Sequence, residues 1–148
     1  MRVLLIIPAY NEEKNIQKVI ERVRAYRERC DYTLDYVVIN DGSTDQTRQV
    51  CRENGIHHID LLQNLGIGGA VQTGYIYARR EGYDFAVQFD GDGQHDLESL
   101  SQLLAPLQSG QADFCIGIPP TREIILKWPE GWRQAKPTVI GAAGRMRM

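Results

Sequence analysis

Two carboxylates separated by one glycine, Asp90-Gly91-Asp92, follow directly on the mainly apolar run 85–89. In extended backbone, residues i and i+2 point to the same side, so both carboxylates can face one ligand. Adjacent anions repel unless a cation lies between them. Mg2+ or Mn2+ takes one or two carboxylates and completes its shell with water and substrate phosphates. Gly91 and Gly93 allow close approach of backbone and ligand. The plainer reading is a solvated turn with an Asp capping the next helix, and a lone Asp-x-Asp is common by chance. An EF-hand starting at Asp90 is excluded, since its fifth, sixth and twelfth positions are Gln94, His95 and Ser101. His95 could ligate a metal or lie beside a diphosphate, with Gln94 as a neighbouring hydrogen-bonder, but a histidine in a turn is more often structural.

Two further clusters carry chemistry. Asp41 and Asp45 flank a Gly-Ser-Thr turn, where a carboxylate can accept hydrogen bonds from a base imide or amine and from ribose hydroxyls. Asp45 also suits a helix N-terminus and its dipole, which leaves Asp41, nearer the preceding strand, as the better ligand candidate. Asn64-Leu65-Gly66-Ile67-Gly68-Gly69 resembles a phosphate loop, with glycines freeing backbone N–H groups at a helix start. Val71 stands where the dinucleotide fingerprint needs its third glycine, which disfavours a Rossmann dehydrogenase.

The elements that must position these residues alternate. Val3 to Ile7 is an unbroken Val/Leu/Ile run, as expected of a strand buried on both faces of a parallel sheet. Asn11 then reads as a helix cap, and Ile16, Val19, Ile20 and Val23 recur at helical spacing behind it. A strand at 36–39, a short helix at 46–53 closed by Gly55, a strand near 58–62, a helix after Gly66, a strand at 85–89, a leucine-faced helix from Leu97 to Leu107 capped by Asp96, and a fifth strand at 114–116 follow. This order implies a mostly parallel sheet with right-handed crossovers. Ligands in such sheets bind beyond the carboxyl ends of the strands. The clusters 8–13, 41–45, 64–69 and 90–96 all fall at such ends.

The chain has 148 residues, 17 Lys+Arg against 19 Asp+Glu and a formal net charge of −2. That balance gives no general attraction to nucleic acid or an anionic membrane. No apolar run approaches the roughly 20 residues that span a bilayer, and no signal-peptide cleavage pattern appears, so a cytoplasmic or peripheral chain is expected. Cys30, Cys51 and Cys115 fit no metal-ligand spacing and read as reduced thiols. His57 and His58 open a strand and receive no role. Near residue 118 the composition changes: the last thirty residues hold six basic and two acidic residues, both tryptophans and four of the six prolines. We read residues 118–148 as a basic, Pro-rich linker or arm, because proline removes backbone donors and biases the residue before it away from helix.

In order, Ile7-Pro8-Ala9-Tyr10-Asn11-Glu12, Asn40-Asp41-Gly42-Ser43-Thr44-Asp45, Asn64-Leu65-Gly66-Ile67-Gly68 and Asp90-Gly91-Asp92-Gly93-Gln94-His95 closely resemble the family 2 glycosyltransferases. The flavour is that of bacterial polyprenyl-phosphate and cell-wall sugar transferases, similar to dolichyl-phosphate mannose synthase. The resemblance covers residues 1–117. It implies a GT-A fold that binds a nucleotide-diphospho-sugar and an inverting, single-displacement transfer to a polyprenyl-phosphate (lipid-phosphate) or saccharide acceptor. By the same resemblance Pro8, Ala9, Tyr10 and Glu12 line the nucleoside pocket, Asp41 reads the base, and Asn64, Gly68, Asp90, Gly91 and Asp92 complete the nucleotide-sugar site. Asp92 is then the principal ligand of Mg2+ or Mn2+, with Asp90 on the ribose or diphosphate side and also near the metal. Localisation would be cytoplasmic or peripheral at the inner face of the membrane.

One departure stands out. Where the family continues its strand as Ser-Arg, this chain has Ile118-Pro119-Pro120, and the only later acids are Glu123 and Glu130. An inverting transfer needs a base within hydrogen-bond reach of the acceptor, and no residue here is assigned that role. The expectation is a nucleotide-binding half followed by an unrelated tail, as a truncation or reading-frame change would produce. The competing expectation is a non-catalytic nucleotide-sugar-binding module whose exposed sheet edge pairs with a partner or a second copy.

Overall fold

The first strand, β1 (Arg2–Ala9), supplies the centre of the molecule: Val3 to Ile7 are fully buried, and their side chains alternate between two cores. A computed structural model of the chain describes residues 1–90, 97–118, 122–126 and 143–145, with side chains described through Asp113 and at Cys115. Val3, Leu5, Ile7 and Ala9 pack with α1 (Ile16–Arg27), Cys51 of α2 (Thr47–Glu53) and the leucines of α4 (Leu100–Gln108). Leu4 and Ile6 pack on the other face with Ala70 and Ala78 of α3 (Gly66–Arg80). Side chains of successive strand residues point to opposite faces, so an unbroken apolar run serves two layers of helices at once.

β2 (Thr33–Asn40), β3 (His58–Asp60) and β4 (Phe85–Gln88) join β1 in a parallel block ordered β3-β2-β1-β4. The chain moves outward from β1 to β3 and then returns across β1 to β4. That reversal puts α3 on the face opposite α1 and α2, as right-handed crossovers require. The switch point lies between β1 and β4, where ligands of such sheets collect. α3 passes close over β1 at Gly74, where an added Cβ would clash with the Ile6 side chain.

Beyond β4 the sheet departs from the sequence expectation. β5 (Phe114–Ile118) forms, yet it does not neighbour β4. β7 (Ala143–Arg145) lies between them, antiparallel to both, and β6 (Arg122–Leu126) pairs antiparallel with β5 at the far edge. Both added strands come from the stretch that reads as a linker: β6 fits between Pro120 and Pro129, and β7 lies beyond Pro137, the last proline of the chain. The leucine-faced helix also divides, into a 3-10 turn at Leu97–Ser99 and α4, with Leu97, Leu100, Leu104 and Leu107 buried. Asp96, its expected cap, lies outside the described residues.

Candidate functional site

The loops after β1 and β2 are bonded into one unit. The backbone N–H groups of Asn11, Glu12 and Glu13 donate to Ser43 Oγ (3.0 Å), Thr47 Oγ1 (2.9 Å) and Asp45 Oδ2 (3.2 Å). In return Glu13 Oε2 accepts from the N–H of Gln46, and Asn11 Oδ1 accepts from the N–H of Thr44 at 2.8 Å. This corrects the reading of Asn11 as a helix cap. α1 starts at Ile16, and the side chain of Asn11 reaches across to the other loop. Asp45 Oδ1 meanwhile accepts from the N–H and hydroxyl of Thr47 at the start of α2. Burial pushes the Asp45 carboxyl up, but these bonds and that from the Glu13 N–H outweigh it and hold the group below its usual range.

Asp41 stands apart from Asp45. It is 4% exposed at the end of β2, and its Oδ1 accepts the Leu65 N–H at 2.7 Å. Its second oxygen has no partner among the described residues. A buried carboxylate oxygen without a protein donor is costly, so the site calls for a donor from water or from a ligand. Gly42, at φ +65°, lets the turn press against the third loop: an added Cβ would lie 2.5 Å from the Asn64 nitrogen. The contact and the bond from Asp41 together seat the Asn64–Leu65 segment beside the first two loops.

Of the other residues expected at the site, Ala9 is buried, Pro8 and Glu12 are half-buried and Tyr10 is 47% exposed at the end of β1. Glu12 Oε2 accepts from the Asn15 side chain. Asn64 is exposed, and its Oδ1 accepts the Gly66 N–H at 3.0 Å at the start of α3. Gly68 lies in the first turn of α3, and a Cβ there would meet nothing within 4 Å, so the helix start faces open space. Asp90 follows β4, where Gln88 Nε2 donates to its Oδ1 at 3.1 Å. β2 and β4 flank β1, so strand spacing alone separates the ends carrying Asp41 and Asp90 by roughly 10 Å, the scale of a nucleoside. Gly91, Asp92, Gln94 and His95 lie outside the described residues. Asp90 is a hard oxygen donor of the kind Mg2+ and Mn2+ prefer. No cluster of three or more His, Cys, Asp or Glu occurs among the described residues.

Three positions were not singled out for the site by their sequence. Asn40, 3% exposed, donates from Nδ2 to Asp60 Oδ1 at 2.8 Å and accepts the Ser43 N–H on Oδ1. Asp60 Oδ2 is held by Arg48 Nε at 2.7 Å. Asn11 is the third. Their partners lie between 3 and 34 positions along the chain, and apart from the motif quoted for Asn40 and Asn11 no local pattern marks them.

A parallel β3-β2-β1-β4 block covered by helices on both faces, with polar loops at the carboxyl ends of its strands, is an arrangement this chain shares with glycosyltransferases of the GT-A fold. Solved structures agree. Glucosyl-3-phosphoglycerate synthase from Mycobacterium tuberculosis, crystallised with Mn2+, UDP-glucose and phosphoglyceric acid, matches with a TM-score of 0.62 at 22% identity over 79% of this chain and 43% of that one. The model of glycosyl transferase family 2 matches residues 4–138, past the boundary drawn from the motifs, and the chain belongs to that family. Among curated relatives, the polyprenol monophosphomannose synthase of Mycolicibacterium smegmatis is 33% identical over 143 residues, covering 90% of this chain and 50% of that protein. The UDP-N-acetylglucosamine–dolichyl-phosphate N-acetylglucosaminyltransferase of Methanococcus voltae is 32% identical, covering 78% and 51%. The chain thus spans about half the length of these relatives. No helix among the described residues is long and apolar enough to cross a membrane.

Proposed function

We propose that this chain carries the nucleotide-diphospho-sugar half of an inverting glycosyltransferase that passes a sugar to a polyprenyl-phosphate or saccharide acceptor. The observation that carries this reading is Asp41: a buried carboxylate with one oxygen fixed by the Leu65 N–H and the other without a partner among the described residues. An imide or amine N–H of a nucleobase supplies the missing donor. Tyr10, exposed beside it, offers a face for the nucleoside, and Pro8, Ala9 and Glu12 form the adjoining wall. The open start of α3 at Gly68 suits the diphosphate, since N-terminal helix N–H groups favour anions.

Asp92 and Asp90 would hold Mg2+ or Mn2+, and at that position the ion would supply positive charge to offset that of a nucleoside diphosphate leaving group. The dolichyl-phosphate acceptor named for the relative in Methanococcus voltae and the polyprenol product named for that in Mycolicibacterium smegmatis support that acceptor class, and a lipid acceptor would bring the chain to the membrane surface as a peripheral protein. No residue is assigned as the base. Glu123 of β6 pairs with Gly117 of β5, and Glu130 lies outside the described residues. The test is titration of UDP-, GDP- and dTDP-sugars with and without Mn2+. Metal-dependent binding that is lost in Asp92→Asn supports the reading, and equal binding with and without metal contradicts its metal part. Product formed from an added acceptor then distinguishes a transferase from a binding module.

A further inference from the structure

We propose that Asn11 is a positioning residue: it holds the turn after Asp41 against the loop after β1, and so keeps the donor pocket assembled before ligand arrives. The inference rests on the nucleotide-sugar reading of that pocket. Asn11 has φ +55°, the only non-glycine residue at positive φ among the described residues. Asparagine tolerates this left-handed conformation better than most residues, because its short polar side chain bonds locally. Here the side chain bonds to a segment more than thirty positions away.

Oδ1 of Asn11 accepts the Thr44 N–H at 2.8 Å, with the Thr44 hydroxyl and the Asp45 N–H each at 3.3 Å. The Asn11 N–H donates to Ser43 Oγ at 3.0 Å. One residue therefore engages three consecutive positions of the turn that begins at Asp41. Its chain neighbours are Tyr10 and Glu12, which the proposed site places against the nucleoside. The strained conformation and the clamp require each other. The left-handed turn sends the side chain across, and the bonds across repay a conformation that otherwise costs of order 1 kcal/mol. Because α1 begins at Ile16, helix capping does not account for the residue.

The experiment titrates the full chain with UDP, GDP, dTDP and CDP, each with Mn2+, by calorimetry. It compares wild type with Asn11→Gly, Asn11→Asp and Ser43→Ala, and follows amide hydrogen exchange at 43–47 and the melting temperature. Glycine accepts the positive φ without the carboxamide, whereas aspartate keeps an acceptor oxygen. Expected is about tenfold weaker binding of the preferred nucleotide in Asn11→Gly, recovery to within about threefold in Asn11→Asp, and faster exchange at Thr44 and Asp45 in the glycine variant alone. Binding by Asn11→Gly as tight as wild type, or equal weakening in the glycine and aspartate variants, overturns the positioning role while the donor reading stands. Wild type that binds none of the four nucleotides overturns both. Should Asn11→Gly fail to fold, Ser43→Ala decides: weaker binding at an unchanged melting temperature supports the clamp, and unchanged binding overturns it.

Discussion

Two aspartates at opposite ends of β2 differ in how completely their carboxylates are bonded, and under the proposed donor reading only the one at the carboxyl end meets a ligand. At the amino end, Asp35 has both oxygens engaged: Arg27 Nη2 lies 3.2 Å from Oδ1, and the Tyr83 hydroxyl donates to Oδ2 at 3.0 Å. The Arg2 guanidinium covers the Tyr83 ring at 4.3 Å, and its backbone N–H donates to Asp84. At the carboxyl end, Asp41 is more deeply buried and less satisfied. A buried polar group tends to be fully bonded when its role is structural. Unequal satisfaction therefore separates the two ends better than burial or charge does.

Substitutions can break that contrast. The largest effect is expected from Gly42→Ala. It puts a Cβ 2.5 Å from the Asn64 backbone at a φ of +65°, and should cost about 2–4 kcal/mol and abolish nucleotide binding, read by denaturant melts and calorimetry. Gly74→Ala is a control between the two ends, where the new methyl meets Ile6 across the α3–β1 contact. It should cost about 1–3 kcal/mol and leave affinity for nucleotide unchanged in the folded fraction. Asp35→Asn weakens a half-exposed ion pair and one hydrogen bond at the structural end, for about 1 kcal/mol.

The smallest effect is in pH dependence, which has opposite signs at the two ends. Asp45, held below its usual 3.8, contributes stability that is present above the unfolded value and lost as pH falls through the folded one, so the carboxyl end should loosen only below about pH 4. Burial and then the neighbouring Asp35 push the Tyr83 phenol up to about 12 from 10.0. Its contribution is complete below the unfolded value and lost as pH rises from about 10 toward 12. Amide exchange followed across pH should show acid opening near Asp45 and alkaline opening near Tyr83.

Much of this arrangement was legible in the sequence. The apolar run at Val3–Ile7 and the spacing of Ile16, Val19, Ile20 and Val23 marked β1 and α1, because burial on a strand or helix imposes a local period. The loops gathered at one end because a parallel sheet places them there. Asn11 was misread because capping rules look a few residues ahead, whereas its partners are Ser43, Thr44 and Asp45. Asn40 and Asp60 meet across a β2–β3 register that periodicity does not encode. β6 was concealed by the prolines on either side of it, Pro119, Pro120 and Pro129, and β7 by pairing with β4 and β5, strands far back in the chain.

The contrast between the two aspartates is tested most directly by measuring both properties in the same pair of variants. Wild type, Asp41→Asn and Asp35→Asn are titrated with UDP and GDP in the presence of Mn2+, and each is melted without ligand. The account expects Asp41→Asn to lose about a hundredfold or more in affinity, near 2.7 kcal/mol, with a melting temperature close to wild type. It expects Asp35→Asn to melt lower and bind as wild type does. Full affinity in Asp41→Asn, or lost affinity in a well-folded Asp35→Asn, would contradict it.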